Sequence, residues 1–214
     1  MRLLFRILLK LETRGLENTP LTGTLIVAIN HTSFLDPLLA GVFLPRTIIP
    51  LAKVELFRKR FVGWVFPAYG AIPIHRGKID RNAIQRSLEV LRSGGALLVA
   101  PEGTRSGDGR LQRGHRGAAV LAVRTDATVL PVAIWGVHQF GRNIRRLRRT
   151  EAHMVVGQPF HIVVEGRKIP REQLDEITDE IMYRVAELLP PEHRGVYQDL
   201  EQTTQRYLRD GSST

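Results

Sequence analysis

The segment GTLIVAINHTSFLDP, residues 23–37, joins an apolar stretch to a polar turn. The apolar part, residues 24–29, is rich in β-branched side chains and lies between Gly23 and Asn30. A short run of this kind, without alternating polar residues, is typical of a strand that is buried on both faces of a parallel sheet. The polar turn follows the carboxyl end of this strand, which is where α/β folds place ligand-binding loops.

Other apolar segments alternate with helical patterns along the chain. The helical patterns cover residues 80–93, which Gly94 and Gly95 end, and residues 115–124. Further strands are predicted at residues 47–51, 96–100, 129–133, 153–156 and 160–164. A last amphipathic helix carries apolar residues at 174, 177, 181, 185 and 188 and stops at Pro190. This alternation predicts a single α/β domain with a mixed, largely parallel central sheet flanked by helices.

Two residues of the polar turn, His31 and Asp36, are candidates for chemistry. The turn could bring the Asp36 carboxylate to the imidazole and fix its tautomer, so that the other ring nitrogen accepts a proton from a hydroxyl. Thr32 and Ser33 between them are natural N-cap residues for a following helix. Considered alone, the pair is better explained as a helix-capping loop, so a catalytic role depends on residues at other strand ends.

Two other strand ends carry polar and basic residues. The run PEGTRS, residues 101–106, follows a predicted buried strand. In it, Gly103 would let backbone approach a ligand, and Arg105 supplies a forked donor suited to phosphate. The apolar run 70–74 likewise ends in His75 and Arg76, although a solvated arginine is an equal alternative there. Together with His31, these ends predict a general base beside a phosphate-binding site.

Composition narrows the possible functions. The 214 residues contain no cysteine, which excludes disulfides, thiolate metal sites and a thiol nucleophile. The formal net charge of +10 predicts attraction to nucleic acid, anionic lipid or a phosphorylated substrate. A nucleic-acid-binding protein could use the arginine-rich stretch 142–149, but aromatic residues are not interleaved there and His31 and Asp36 would have no role. We therefore expect no nucleic-acid partner and assign that stretch to anionic headgroups, an acidic carrier protein or a solvated face.

The first 12 residues predict an amphipathic helix on a membrane surface. Arg2, Arg6 and Lys10 recur at a spacing of four and would form one basic stripe among leucine, isoleucine and phenylalanine. A helix docked on the core is the alternative, and a signal peptide is disfavoured because a cation interrupts every turn. No apolar run reaches the ~18 residues expected of a membrane-spanning helix.

Four blocks of the sequence together resemble the glycerolipid acyltransferase family typified by 1-acylglycerol-3-phosphate acyltransferase. The blocks are residues 30–37, residues 53–56 with 70–76, residues 101–106 and residues 129–132, in the family's order and spacing. The resemblance implies that His31 is the general base and that Asp36 orients it. It also implies that a substrate hydroxyl attacks an acyl thioester of coenzyme A or acyl carrier protein directly, with no acyl-enzyme, no metal and no further cofactor. The chain agrees in lacking the G-x-S-x-G, H-E-x-x-H and G-x-x-x-x-G-K motifs.

By this resemblance we expect an enzyme that converts 1-acylglycerol-3-phosphate into phosphatidate at the cytoplasmic face of a membrane, as a peripheral or monotopic protein. The expected acceptor-binding residues are Arg76, Glu102, Gly103, Thr104, Arg105, His115 and Arg116. Residues 13–200 would form the acyltransferase domain, and residues 201–214 a partly disordered tail. The alternatives are another lysophospholipid or glycerol-phosphate acceptor, a thioester hydrolase, and a non-catalytic peripheral membrane protein.

The chain departs from the family pattern at three places. His75 stands where Asp commonly precedes the arginine, Ala100 replaces a Phe, and Gly114-His115 replaces Phe-Lys. The way in which the phosphate is held is therefore open. A groove for the acyl chain is also expected, and its candidate wall residues, with core packing as the alternative, are Phe57, Phe61, Trp64, Val65 and Phe66.

Overall fold

A computed structural model describes residues 1–58, 67, 69–75, 80–166 and 169–211. The helices in these ranges are α1 (Arg2–Leu8), α2 (Asp36–Phe43), α3 (Val54–Phe57), α4 (Arg81–Arg92), α5 (Gly117–Thr125), α6 (Phe140–Arg145) and α7 (Arg171–Glu187). The strands are β1 (Leu9–Arg14), β2 (Leu25–Ile29), β3 (Ile49–Lys53), β4 (Ile72–Ile74), β5 (Ala96–Val99), β6 (Thr128–Trp135), β7 (Thr150–Val156), β8 (Phe160–Ile162) and β9 (Leu208–Asp210). The predicted alternation of strands and helices is confirmed, with element ends shifted by a few residues.

The strands form one sheet in the order β1-β7-β6-β2-β5-β3-β4, with β8 and β9 beside β6. Most neighbours are parallel, whereas β7 and β8 run antiparallel to β6 and β9 runs antiparallel to β8. The predicted mixed, largely parallel sheet is confirmed.

The central strand β2 is buried along its whole length. Successive side chains of a strand point to opposite faces of its sheet. Leu25, Val27 and Ile29 pack in a core that includes Phe5 of α1 and residues of α2. Ile26 and Ala28 pack in a second core formed with α4, α5 and α7. The two cores explain why the segment 25–29 has no polar alternation.

One edge of the sheet, which we call the carboxyl edge, collects the carboxyl ends of β2, β5 and β6. These strands are parallel and in near register, since Ile29 lies opposite Val132 and Ala28 opposite Val99. Because β7 is antiparallel to β6, with Trp135 opposite His153, β7 begins at this same edge. Strand β1 is parallel to β7 and also begins there, so α1 and the loop before β7 both lie at the carboxyl edge.

The N-terminal helix is shorter than the sequence predicts. It ends at Leu8, and residues 9–14 form β1 in parallel register with β7. Lys10 therefore lies on a strand, where its Nζ is 3.2 Å from Glu151 Oε1, and it does not continue the helical stripe of Arg2 and Arg6. The boundary predicted at residue 12 is wrong, because residues 9–14 pair with β7 and bury Leu9 completely, whereas a short helix gains little from its own hydrogen bonds.

The carboxyl-terminal segment is largely part of the domain. Helix α7 follows its predicted range, and β9 adds residues 208–210 to the sheet. The buried Glu180 carboxylate holds this segment, since it accepts hydrogen bonds from Thr204 Oγ1 at 2.6 Å and the Arg206 N–H at 2.8 Å. The predicted tail that begins at residue 201 is thus wrong up to residue 211, and residues 212–214 lie outside the described part of the chain.

In the ranges that the structure describes, every helix is too short or too polar to cross a bilayer.

Candidate active site

The centre of the candidate site is a buried histidine–aspartate pair at the end of β2. His31 Nδ1 lies 3.1 Å from Asp36 Oδ2. The exposed fraction is 6% for His31 and 0% for Asp36, so the hydrogen bond is shielded from water. With Nδ1–H donating to the carboxylate, Nε2 is left as the acceptor that a general base requires.

The turn between the two residues is organised by the Asp36 carboxylate. Besides the imidazole, Asp36 Oδ2 accepts the N–H groups of Thr32 and Ser33, each at 2.7 Å. Helix α2 begins at Asp36 itself, with Leu35 at the N-cap position and no side-chain cap. The prediction that Thr32 or Ser33 caps this helix is therefore wrong. Their N–H groups instead hold the carboxylate in the orientation that meets the imidazole.

Glu102 has a different place from the one that the sequence suggests. It is 1% exposed, and its carboxylate points into the protein, where Oε1 accepts the His31 N–H at 2.7 Å and Oε2 accepts the Gln112 N–H at 2.9 Å. Burial raises the pKa of this carboxyl to about 7, although the hydrogen bonds from Gln112 and His31 oppose the rise. A carboxylate would also repel a phosphate. We therefore reassign Glu102 from acceptor binding to positioning the His31 backbone.

A second contact from the same loop fixes His31. The Ser106 N–H donates to the His31 carbonyl oxygen at 2.8 Å. Loop 101–106 thus binds both the N–H and the C=O of the histidine. Because the side chain of His31 also has its own partner in Asp36, the imidazole is held by the backbone and by its ring.

The remaining residues of this loop form an exposed surface beside the pair. Gly103 has φ +67°, and a Cβ there would lie 2.9 Å from His115 Cδ2, so both backbone conformation and space favour glycine. The His115 N–H donates to the Pro101 carbonyl oxygen at 2.8 Å, which holds His115 against the loop. Thr104, Arg105 and His115 are exposed. The structure thus brings these predicted residues to the carboxyl edge, and their contact with an acceptor stays a prediction.

Arg116 is engaged elsewhere. Its guanidinium donates to both carboxylate oxygens of Asp175 on α7, at 2.5 and 2.7 Å. This ion pair lowers the pKa of Asp175. The geometry gives no support to the prediction that Arg116 binds the acceptor, because its planar donor group is already matched by a carboxylate.

Several predicted residues lie outside the described ranges, namely Arg76, Phe61, Trp64, Val65 and Phe66. The described neighbour His75 replaces the Asp of the family pattern, yet it has a carboxylate partner. Asp80 Oδ2 lies 2.8 Å from His75 Nδ1 and accepts the His75 N–H at 2.9 Å. The backbone N–H groups of His75 and Ala83 hold the pKa of Asp80 well below its usual range. The Asp80 carboxylate therefore lies beside His75, although the family pattern has its Asp at the position of His75 itself.

Asn30 is a site residue that the sequence reasoning did not single out. Its Nδ2 donates to the Ile134 carbonyl oxygen and its Oδ1 accepts the Ile134 N–H, both at 2.7 Å. The side chain thereby joins the exit of β2 to β6 after the ladder has ended. The sequence feature that could have indicated this role is an amide residue directly after an apolar strand. An amide side chain has both a donor and an acceptor, which this pair of bonds requires.

In the described part of the chain, no three His, Asp or Glu side chains are grouped in a way that could hold a metal ion.

The family model described as Acyltransferase matches residues 10–135. The solved structure of the 1-acyl-sn-glycerophosphate (LPA) acyltransferase PlsC from Thermotoga maritima is similar with a TM-score of 0.65 and 29% identity, over 87% of this chain and 76% of that one.

Curated sequences are similar as well. A 1-acyl-sn-glycerol-3-phosphate acyltransferase of Bacillus subtilis is 26% identical over 80% of this chain and 84% of its own length. The chloroplastic LPAT1 of Arabidopsis thaliana is 33% identical over 59% of this chain, and the chloroplastic BAT2 of Brassica napus is 28% identical over 83%. The matches span only 36% and 50% of these two plant proteins.

Proposed function

The chain belongs to the acyltransferase family, and we propose that it transfers a fatty acyl group from an acyl thioester to the free hydroxyl of 1-acylglycerol-3-phosphate, which gives phosphatidate. The names of the similar proteins support this choice of acceptor. The observation that carries the proposal is the buried bond between His31 Nδ1 and Asp36 Oδ2 at the carboxyl edge.

In the proposed reaction, His31 is the general base. The acceptor hydroxyl lies beside Nε2, which takes its proton as the oxygen attacks the thioester carbonyl carbon. The new C–O bond forms, the tetrahedral intermediate collapses, and the C–S bond breaks. The proton on Nε2 then passes to the departing thiolate. Asp36 stabilises the imidazolium between these two steps and keeps the ring in the required tautomer.

Direct transfer without an acyl-enzyme is supported by the composition of the chain. No cysteine is present, and the site that the geometry defines contains a base and its orienting carboxylate. A positioned base supplies about 10²–10⁴ in rate, so juxtaposition of donor and acceptor must supply much of the rest.

We assign the acceptor phosphate to the exposed surface of loop 101–106, with Arg105 as the principal cation and His115 beside Gly103. Arg105 offers a bidentate donor, and the backbone at Gly103 can approach a ligand closely. Arg76 stays a predicted second cation. The Glu102 carboxylate points inward, to the N–H groups of His31 and Gln112, so no carboxylate of the PEGTRS run faces this surface to repel the phosphate. This favours the assignment.

We further propose that the reaction takes place at the cytoplasmic face of a membrane, with the thioester carried by coenzyme A or acyl carrier protein. Leu3, Leu4 and Ile7 of α1 are exposed by 73%, 49% and 59%, and Arg2 and Arg6 flank them. Apolar and basic residues on one short helix suit the boundary between acyl chains and phosphate headgroups.

The test combines one variant with a panel of substrates. Purified His31→Ala is expected to lose transfer from a labelled acyl thioester to 1-acylglycerol-3-phosphate while keeping its circular dichroism spectrum. His161→Ala is the matched control, because His161 lies on β8 next to the first part of β6, away from the carboxyl edge. Full activity of His31→Ala would refute the mechanism.

The same assay separates the alternative functions. Products are resolved by mass with coenzyme A and acyl carrier protein donors, and with several lysophospholipids and glycerol-3-phosphate as acceptors. Release of free fatty acid at equal rates with and without an acceptor would indicate a thioester hydrolase. Preference for another lysolipid would overturn the proposed acceptor and leave the base mechanism intact.

A further inference from the structure

The loop between α6 and β7 exposes an apolar side chain among arginines. Leu147 is 95% exposed, more than any other large hydrophobic side chain in the described ranges. Its neighbours Arg145, Arg146, Arg148 and Arg149 are exposed too. We call residues 146–149 the Leu147 loop.

The conformation of Leu147 is one that normally favours glycine. Its φ is +52°, at the first position after the C-cap Arg146 of helix α6. The Arg148 N–H donates to the Asn143 carbonyl at 3.0 Å and the Leu147 N–H to the Ile144 carbonyl at 3.1 Å. These two bonds define a Schellman motif, whose left-handed residue is most often glycine and sometimes asparagine. Leucine here strains the backbone without burying its side chain, so folding of the chain gives no reason for its presence.

The Leu147 loop is joined to helix α1. Arg149 Nη2 donates to the carbonyl oxygens of Arg6 at 2.6 Å and Leu9 at 2.7 Å. The loop ends at Thr150, which lies opposite Leu9 in the sheet, so loop and helix stand side by side at the carboxyl edge. Leu147 and the exposed apolar residues of α1 therefore lie on segments that meet at the carboxyl edge.

Basic side chains outnumber acidic ones where these segments meet, although Glu12 and Glu151 line the same crevice as Arg6, Lys10 and Arg149. Residues 1–11 contain Arg2, Arg6 and Lys10 and no acidic residue, and residues 127–150 contain five arginines and no acidic residue. Lys10 is paired with Glu151, and Arg149 is bound to backbone carbonyls. Arg145, Arg146 and Arg148 flank the exposed leucine, an arrangement in which an apolar side chain enters the acyl region while cations meet phosphates.

We propose that the Leu147 loop is a second membrane-docking element, which inserts Leu147 into an anionic bilayer beside α1. This inference rests on the proposed membrane location of the reaction, and it names the part of the chain that recognises anionic lipid. The partner is an anionic phospholipid surface. An acidic carrier protein would match the charges but gives no reason for a strained leucine beside the exposed apolar residues of α1.

The experiment measures co-sedimentation of the full chain with vesicles of phosphatidylcholine, with and without phosphatidylglycerol. Leu147→Asn is the first variant, because asparagine tolerates the left-handed conformation. Its partition coefficient is expected to fall about tenfold, as for removal of a buried leucine side chain. The matched control is Leu21→Asn, which removes a leucine exposed by 66% just before β2, at the opposite edge of the sheet.

The arginines are tested in the same assay. Arg146→Gln with Arg148→Gln should weaken binding to the anionic vesicles by about fivefold per residue at low salt, and less at high salt. Arg92→Gln with Arg124→Gln is the control, because these exposed arginines lie near the carboxyl ends of α4 and α5, away from the carboxyl edge. Thermal unfolding should show that Leu147→Asn is at least as stable as the unsubstituted protein, which excludes misfolding as the cause.

The outcomes separate this inference from the proposed function. If Leu147→Asn and the unsubstituted protein bind vesicles equally, the docking role is overturned. If Leu147→Asn in addition loses binding to immobilised acyl carrier protein, the loop docks that protein and not the membrane. Transfer to 1-acylglycerol-3-phosphate by the unsubstituted protein is measured in parallel. Vesicle binding that depends on Leu147 in a protein without transfer activity supports docking and refutes the proposed function.

Discussion

Replacing Glu102 by glutamine should remove one component of the pH dependence of stability. The two carboxylate oxygens accept the backbone N–H groups of His31 and Gln112, and the residue is almost completely buried. Glutamine has the same shape and resembles the protonated acid, because its amide also presents one acceptor and one donor group. The substitution therefore removes the titration with little change in side-chain volume.

The magnitude follows from the pKa of this carboxyl, which burial raises from 4.5 to about 7. Between these values the folded state holds a proton that the unfolded state has released, so the free energy of unfolding falls as pH rises. The stabilisation is complete below the unfolded pKa and is lost as pH rises through the folded pKa. The loss amounts to about 3 kcal/mol, since one pKa unit corresponds to 1.36 kcal/mol. Glu102→Gln should be free of this loss.

The assay is urea unfolding at a series of pH values from about 4 to 8, monitored by tryptophan fluorescence. Other titrating groups contribute equally to both proteins, so the difference between Glu102→Gln and the unsubstituted chain isolates this carboxyl. That difference should shift by about 3 kcal/mol in favour of the variant as pH rises. Glu165→Gln, at an exposed position, should produce no such shift. Parallel curves for Glu102→Gln and the unsubstituted protein would refute the assigned burial and pKa.

Catalysis should respond in the opposite direction. Each oxygen of the Glu102 carboxylate accepts one backbone N–H group, whereas the amide nitrogen that Glu102→Gln introduces is a donor and can accept neither. An unsatisfied buried N–H costs about 1–3 kcal/mol, which His31 can relieve only by shifting away from its place. We expect Glu102→Gln to be about tenfold less active than the unsubstituted protein at pH 8. Unchanged activity would show that the His31 backbone does not depend on this carboxylate.

Two further substitutions test the remaining assignments. Asp36→Asn should lower kcat by about 10³–10⁴, because an amide donor opposite Nδ1 selects the wrong imidazole tautomer, and a kcat close to that of the unsubstituted enzyme would contradict the pairing. Arg105→Ala should raise KM for 1-acylglycerol-3-phosphate by about tenfold to a hundredfold with little change in KM for the thioester, as expected for a lost hydrogen bond to a charged group. The control is Arg110→Ala, another exposed arginine beyond residue 106, and an equal rise there would indicate a diffuse electrostatic effect.

The sheet could be predicted because its central strand carries an unusual pattern. Residues 25–29 are buried on both faces, so their sequence has no polar alternation and cannot be mistaken for the edge of a half-exposed sheet. The N-terminus could not be predicted equally well. Its cations are spaced as on a helix up to Lys10, whereas its alternation of apolar and polar residues from Leu9 fits a strand. The contact with β7, whose residues lie 141 positions from their β1 partners in sequence, decides between the two.

The sequence predicted which residues meet at the site better than it predicted what each of them does. His31 and Asp36 meet because a five-residue separation at a strand exit allows a closed turn. The role of Glu102 could not be deduced, since a carboxylate beside Gly103 and Arg105 fits ligand binding equally well. Its direction depends on the unpaired N–H groups of His31 and Gln112, which become visible only when two separate segments of the chain meet.

Helix α2 connects the proposed docking surface to the catalytic pair. Arg2 Nε donates to the Val42 carbonyl oxygen at 2.8 Å, and the ring of Phe5 lies 6.3 Å from that of Phe43, so α1 is held against the end of α2. The other end of α2 begins with Asp36. Side-chain packing, and not a flexible linker, therefore sets the position of Asp36 relative to α1. If α1 and the Leu147 loop rest on a bilayer, His31 is carried at a fixed height above the acyl region, which limits the hydroxyl groups that it can reach to those of lipids still seated in the membrane.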